Sequence, residues 1–258
     1  MQPRRQSIPI LLLLKTAFQI LWQQRDDALR LGLLPTLLLF AGIYIGGDTF
    51  FAVVQEVESG TSTEVASGSG PTLLLLSAIV IVALSLLMVN WLRFLLLGPM
   101  GAVGIGLPIR VAHFRFLLSA IVFVIGLTVA VMAISVPLVL LHVPGSIANL
   151  LAMLLSLLLA VRFLPFMVGQ AIDQPMTPGQ SWAVSRGNAL TLAISLILVQ
   201  VPFVIGLAVL EQILALVGFI AVAPVGTMFI VAVAQVAVWI CLATVFAAAY
   251  RHLVGVRV

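Results

Sequence analysis

Leu150-Leu151-Ala152-Met153-Leu154-Leu155-Ser156-Leu157-Leu158-Leu159-Ala160-Val161-Arg162-Phe163 is the stretch that decides the fold. It is apolar without a period-two alternation, and it ends on an arginine followed by an aromatic ring. A membrane-spanning β-strand alternates apolar and polar residues over about 10 positions. Leu73-Leu74-Leu75-Leu76 does not alternate either. In hydrocarbon every backbone N–H and C=O has to be satisfied within the protein, which leaves the α-helix.

Five further stretches read the same way. A spanning helix needs roughly 20 mostly apolar residues to cross about 30 Å of hydrocarbon. The sequence predicts spans over 31–50, 72–92, 116–141, 147–168, 189–210 and 225–249. Composition agrees: of 258 residues, 63% are apolar and 8% charged, against roughly 45–50% and about 25% in a soluble domain. So few charges cannot cover a water-facing globule, which excludes a soluble enzyme and a disordered chain alike.

The predicted fold class is therefore an all-α membrane protein with six transmembrane helices. Six spans put Arg4, Arg5, Lys15, Arg25, Arg30, Arg93, Arg110, Arg115, Arg162, Arg186, Arg251 and Arg257 on one side, which is every Lys and Arg in the chain. The other side receives Asp48, Glu56, Glu58, Glu64 and Glu211. Basic residues near span ends stay in the cytoplasm, so both termini are expected there. A basic face of this kind is a topogenic signal that meets anionic headgroups, so membrane lipids are the expected partners and nucleic acid is not.

Ahead of the first span, Lys15, Gln19, Gln23 and Asp26 or Asp27 form a narrow polar stripe opposite Ile10, Leu14, Phe18, Leu21 and Trp22. That pattern predicts an interfacial amphipathic helix over 9–27. Lys15 interrupts the apolar run after Leu14, so a secretory signal is not the reading. Residues 51–71, acidic and then rich in Ser, Thr and Gly, are expected as a flexible outer loop.

A threefold parallel repeat is also predicted. Arg25-Asp26-Asp27-Ala28-Leu29-Arg30-Leu31 and Arg186-Gly187-Asn188-Ala189-Leu190-Thr191-Leu192 enter spans in matching fashion, and His113-Phe114-Arg115-Phe116-Leu117-Leu118 is a looser version. The return helices leave through Arg93-Phe94-Leu95, Arg162-Phe163-Leu164 and Tyr250-Arg251-His252-Leu253. The units 9–97, 98–168 and 170–253 each read as a surface segment, a helix out and a helix back. Arg25, Arg93, Arg115, Arg162, Arg186 and Arg251, with Trp22, Trp91 and Trp182, are the candidate headgroup and interface contacts, each arginine at a helix end near phosphate level.

Motifs for chemistry are missing. Cys241 is the single cysteine, and His113 and His252 lie on the opposite side from His142, so no metal site or cofactor is expected. The Gly98–Gly106 stretch lacks the flanking strand and Gly-Lys-Ser/Thr of a phosphate loop and reads as an interfacial connector. No ionisable residue falls at mid-depth. Gln200, near Pro202, and Gln235 are the candidate mid-membrane polar contact, one helix amide to another.

At Trp91-x-Arg93-Phe94-Leu95-Leu96-Leu97-Gly98, Arg115-Phe116-Leu117-Leu118 and Ser181-Trp182-Ala183-Val184-Ser185-Arg186-Gly187-Asn188 the chain resembles bacterial six-span inner-membrane proteins of the YciC type. More distantly it resembles the membrane domain attached to some glycerophosphodiester phosphodiesterases. The resemblance implies the six-span fold and no catalytic residues. No phosphodiesterase domain lies in these residues, so that activity does not follow.

The functional expectation is a non-enzymatic integral membrane protein: a scaffold, an accessory subunit of a membrane complex, or an envelope factor, with a protein partner. The alternative is a transporter or channel for a neutral or lipid-like solute. A third reading, an enzyme on phospholipid using Arg186, Asn188 and Asp173, has the least behind it.

Overall fold

The computed structural model describes residues 9–59, 69–99, 110–140, 142–216 and 223–255. These form helices α1 Ile10–Gln23, α2 Arg25–Ser59, α3 Ser69–Leu97, α4 Val111–Leu140, α5 Gly145–Ala171, α6 Pro178–Ser185, α7 Ala189–Leu216 and α8 Pro224–Val254. Six of them, α2, α3, α4, α5, α7 and α8, are long and apolar enough to cross a membrane.

Two boundaries differ from expectation. The surface helix stops at Gln23 because Gln24 turns the chain, and Asp26 and Asp27 belong to the first turn of α2. Their carboxylates there face the positive end of the α2 dipole, a stronger use than extending a polar stripe. The expected loop 51–71 is shorter, since α2 continues to Ser59 and α3 begins at Ser69. The intervening residues lie outside the described ones, as do 100–109, most of the glycine-rich connector.

The long helices pair in sequence as α2–α3, α4–α5 and α7–α8. The return helices α3, α5 and α8 all touch one another and form the centre. Each outgoing helix packs between its own return helix and another: α2 on α3 and α8, α4 on α5 and α3, α7 on α8 and α5. Close approach is possible where side chains are small. Ala243, Ala247, Ala248 and Ala249 are buried in α8, and a Cβ on Gly32 of α2 would lie 3.3 Å from Ile240 and Val236.

Burial is uneven along the bundle. Leu87, Leu92 and Leu96 of α3, Val161 and Val168 of α5, Leu192 and Val199 of α7, and Val245 of α8 are buried near the arginine-bearing end. Past Phe116 no described residue of α4 is buried, and past Val199 none of α7.

Helix α1 packs along α7 and α8. Its inward face is Leu13 and Ala17, both buried, while Leu11, Phe18 and Trp22 are exposed on an apolar stripe and Lys15, Gln19 and Gln23 are exposed beside it. One side thus meets protein, one is apolar and open, and one is polar. That pattern suits a helix in the headgroup layer leaning on a bundle.

Candidate functional site

The polar chemistry gathers where α3, α5 and α8 end and α4 begins. Arg93, four residues before the end of α3, is 7% exposed. Its Nη1 donates to the Ala171 carbonyl at 3.2 Å and to Asp173 Oδ2 at 2.6 Å. Ala171 is the last residue of α5, so Arg93 answers one of the carbonyls a helix end leaves open, together with the negative end of its dipole.

Asp173 is held by a tight helix exit. The Gln174 N–H donates to the Gly169 carbonyl and the Ile172 N–H to that of Val168, while Asp173 has φ +58°. This is a Schellman turn with aspartate at the left-handed position glycine usually fills. Gly169 is required as well, since a Cβ there would sit 2.6 Å from the Gln174 carbonyl oxygen. The backbone cost of aspartate, of order 1 kcal/mol, is offset by what its carboxylate reaches: Arg93 through Oδ2, and Arg115 of α4 through Oδ1 at 3.7 Å.

Arg251 repeats the device. Its Nη2 donates to the Leu95 carbonyl near the end of α3. So Arg93 of α3 caps α5, and Arg251 of α8 caps α3. Arg162 of α5 donates to the Trp182 carbonyl of α6 at 3.4 Å and lies 4.9 Å over the Trp182 ring. These three arginines were expected at helix ends facing phosphate. In the structure each also bonds to a carbonyl of a neighbouring helix.

Trp91, expected at the membrane interface, is fully buried. Its Nε1 donates to Thr244 Oγ1 at 2.8 Å, and its ring stacks on Phe94. Arg25 and Trp22 remain exposed, with the guanidinium 5.3 Å from the ring centroid. Trp182 is 45% exposed, and Arg186, at the exit of α6, is exposed. Gln200 points outward and Gln235 is half-buried. No hydrogen bond joins these two glutamines.

The α5–α6 corner shows how polar groups are satisfied here. Pro165 sits within α5, and the Phe166 N–H would ordinarily bond to the Arg162 carbonyl four residues back. Ser181, fully buried in α6, enters that gap: its hydroxyl accepts from the Phe166 N–H at 3.0 Å and donates to the Arg162 carbonyl at 2.7 Å. Thr177 and Gln180 close a complete capping box ahead of it.

Cavities lined by described residues include a crevice and a groove. A crevice under α1, between α7 and α8, is lined by Ala17, Phe18, Leu21, Val199, Cys241 and Thr244 among others, and its volume of about 10 Å³ holds no solute. A shallow groove of about 410 Å³ runs between Gln174, Met176, Gln180, Val184, Tyr250 and Val254. Neither Gln200 nor Gln235 lines either one. Among the described residues no three of His, Cys, Asp and Glu come together.

Sequence reasoning passed over Ser181 and Thr244, whose partners lie far along the chain, and took Asp173 for a candidate acid. One signal was available: Asp173 is the single carboxylate between Glu64 and Glu211. No family model matches the chain, and neither a curated protein nor a solved structure matches it.

Proposed function

We propose that this chain is a non-enzymatic multi-pass protein of the bacterial inner membrane, of the YciC type, that serves as a scaffold or accessory subunit of a membrane complex or as an envelope factor. Both termini are cytoplasmic, and the arginine-bearing end of the bundle meets anionic headgroups. The observation that carries this reading is the uneven burial. One end is locked by arginine-to-carbonyl bonds between helices, while among the described residues the apolar flanks of α4 past Phe116 and of α7 past Val199 are not buried. Lipid covers such flanks by default, and a partner's helices pack on them by the same van der Waals contacts.

The chain is read as three parallel units. The packing order supports this: each return helix touches the other two, each outgoing helix lies between two return helices, α6 lies on the return helix before it, and α1 lies on α8. A transporter reading has less support, since no hydrogen bond joins Gln200 and Gln235 and Gln200 points outward.

Purification in mild detergent at native abundance, followed by mass spectrometry, tests the proposal. A defined larger assembly is the expected result. A monodisperse lone protein that carries solute across a reconstituted bilayer overturns it. Cysteines placed at positions 6 and 258 test orientation, with membrane-impermeant labelling expected only after the cytoplasm is opened.

A further inference from the structure

The groove between the α5–α6 connection, α6 and the end of α8 has a volume of about 410 Å³, within the range of small-molecule sites. Its walls at Pro175, Met176, Val184 and Val254 are apolar. Met176 and Val254 also pack on the buried core, so that wall is anchored to the bundle. Gln174, Gln180 and Tyr250 are its polar members. No described residue lining it is charged, although Arg251 follows Tyr250 directly in α8.

Tyr250 supplies the polar atom that points to a ligand. The residue is 1% exposed and lines the groove, and its hydroxyl makes no hydrogen bond with a described residue. The sealed polar atoms without a partner are Asn90 Oδ1, His113 Nε2 and Arg251 Nε among the described residues. The Tyr250 oxygen is not one of them, so it is open, and the groove is the opening it lines. Buried tyrosines usually find a partner for the O–H; this one faces a space instead. Gln180 narrows the chemistry. Its Oε1 accepts from the Thr177 N–H in the capping box, which leaves the amide nitrogen as a donor. An ion is poorly served here, because it would be desolvated against apolar walls with no partner charge. A neutral carbonyl oxygen has lone pairs to accept from either donor, and its apolar substituents suit the walls.

We infer that this groove binds the ester-carbonyl region of an uncharged glycerolipid, of which diacylglycerol is the simplest. Diacylglycerol has ester carbonyls to accept from Tyr250 and Gln180, methylenes for Met176, Val184 and Val254, and no phosphate to leave unpaired. Delivery from the bilayer rests on the proposed placement of this end at the headgroup layer; the ligand chemistry rests on the groove.

The test uses the full chain in phosphatidylcholine nanodiscs with a minor fraction of a diacylglycerol that carries a photoreactive group near its esters, and maps labelled peptides by mass spectrometry. Labelling is expected within 174–184 and 250–254, competed by unlabelled diacylglycerol and not by phosphatidylglycerol, a readout that needs no variant. Tyr250→Phe keeps the ring and, because the hydroxyl has no protein partner, the fold; it is expected to weaken labelling there about fivefold, the scale of one neutral hydrogen bond. Val184→Trp, which fills the groove from a half-buried position, should abolish it, and Arg25→Gln should leave it unchanged. Groove labelling that Tyr250→Phe does not lower, or that phosphatidylglycerol competes equally well, overturns the site. A phosphatidylglycerol probe of the same design separates the two readings. If it labels the arginine-bearing end while the diacylglycerol probe misses the groove, this site is removed and the headgroup placement stands; if neither probe labels that end, both fall.

Discussion

Two helix starts, α6 and α4, stand at one end of this bundle and handle the same problem differently. At α6 the chain answers its own polar groups: Thr177 and Gln180 cap the first turn, and Ser181 fills the gap that Pro165 accompanies in α5. At α4 an imidazole does half of a capping box, arginines flank the turn, and a buried nitrogen is unanswered. One corner thus satisfies its polar groups within the described residues, whereas the other keeps a buried imidazole nitrogen without a partner.

Removing the carboxylate that holds α4 to the α5 exit has the largest expected effect. Asp173→Ala leaves Arg93 buried with a charge and one partner fewer, and is expected to cost about 3 kcal/mol, read as a lowered denaturation midpoint in detergent. Adding Arg93→Met to it should recover part of the loss, because the uncompensated cation is then gone as well; equal or greater loss in the double variant counts against the lock. Next comes the closed corner. Ser181→Ala leaves the part-buried Phe166 N–H and Arg162 carbonyl without their partner together and should cost about 2 kcal/mol, with faster amide exchange at Phe166 as the local sign.

Thr177→Ala opens half of the capping box of α6, and about 1 kcal/mol is expected. The smallest effect sharpens the contrast instead. His113→Glu gives α4 a carboxylate within reach of the Arg110 N–H and close to Arg93 and Arg110. Stability should hold or rise by about 0.5–1 kcal/mol. A lowered denaturation midpoint would show that the start of α4 gains nothing from a carboxylate.

Much of the frame is legible in the chain. The mostly apolar spans 72–92 and 147–168 are long enough to cross about 30 Å of hydrocarbon, so helices follow from local composition. The helices found in the structure contain the predicted spans closely, apart from the turn at Gln24 and the extension of α2 to Ser59. The candidate site was harder to read. Arg25 and Arg93 look alike in sequence, both at helix ends beside aromatic residues. One is exposed and the other is 7% exposed. Nothing within ten residues of Arg93 names Ala171 and Asp173 as its partners.

Hydropathy and length thus settle, from sequence alone, that the chain is helical, that it has six apolar spans, and that under that count its cations fall to one side. These are additive properties of neighbouring residues, and a bilayer responds to them span by span. Which arginine is buried, that Trp91 meets Thr244, and that Ser181 replaces a backbone bond in α5 were decided by tertiary structure. A hydrogen bond depends on two groups meeting within about 3 Å, and where helix ends meet is set by packing of the whole bundle.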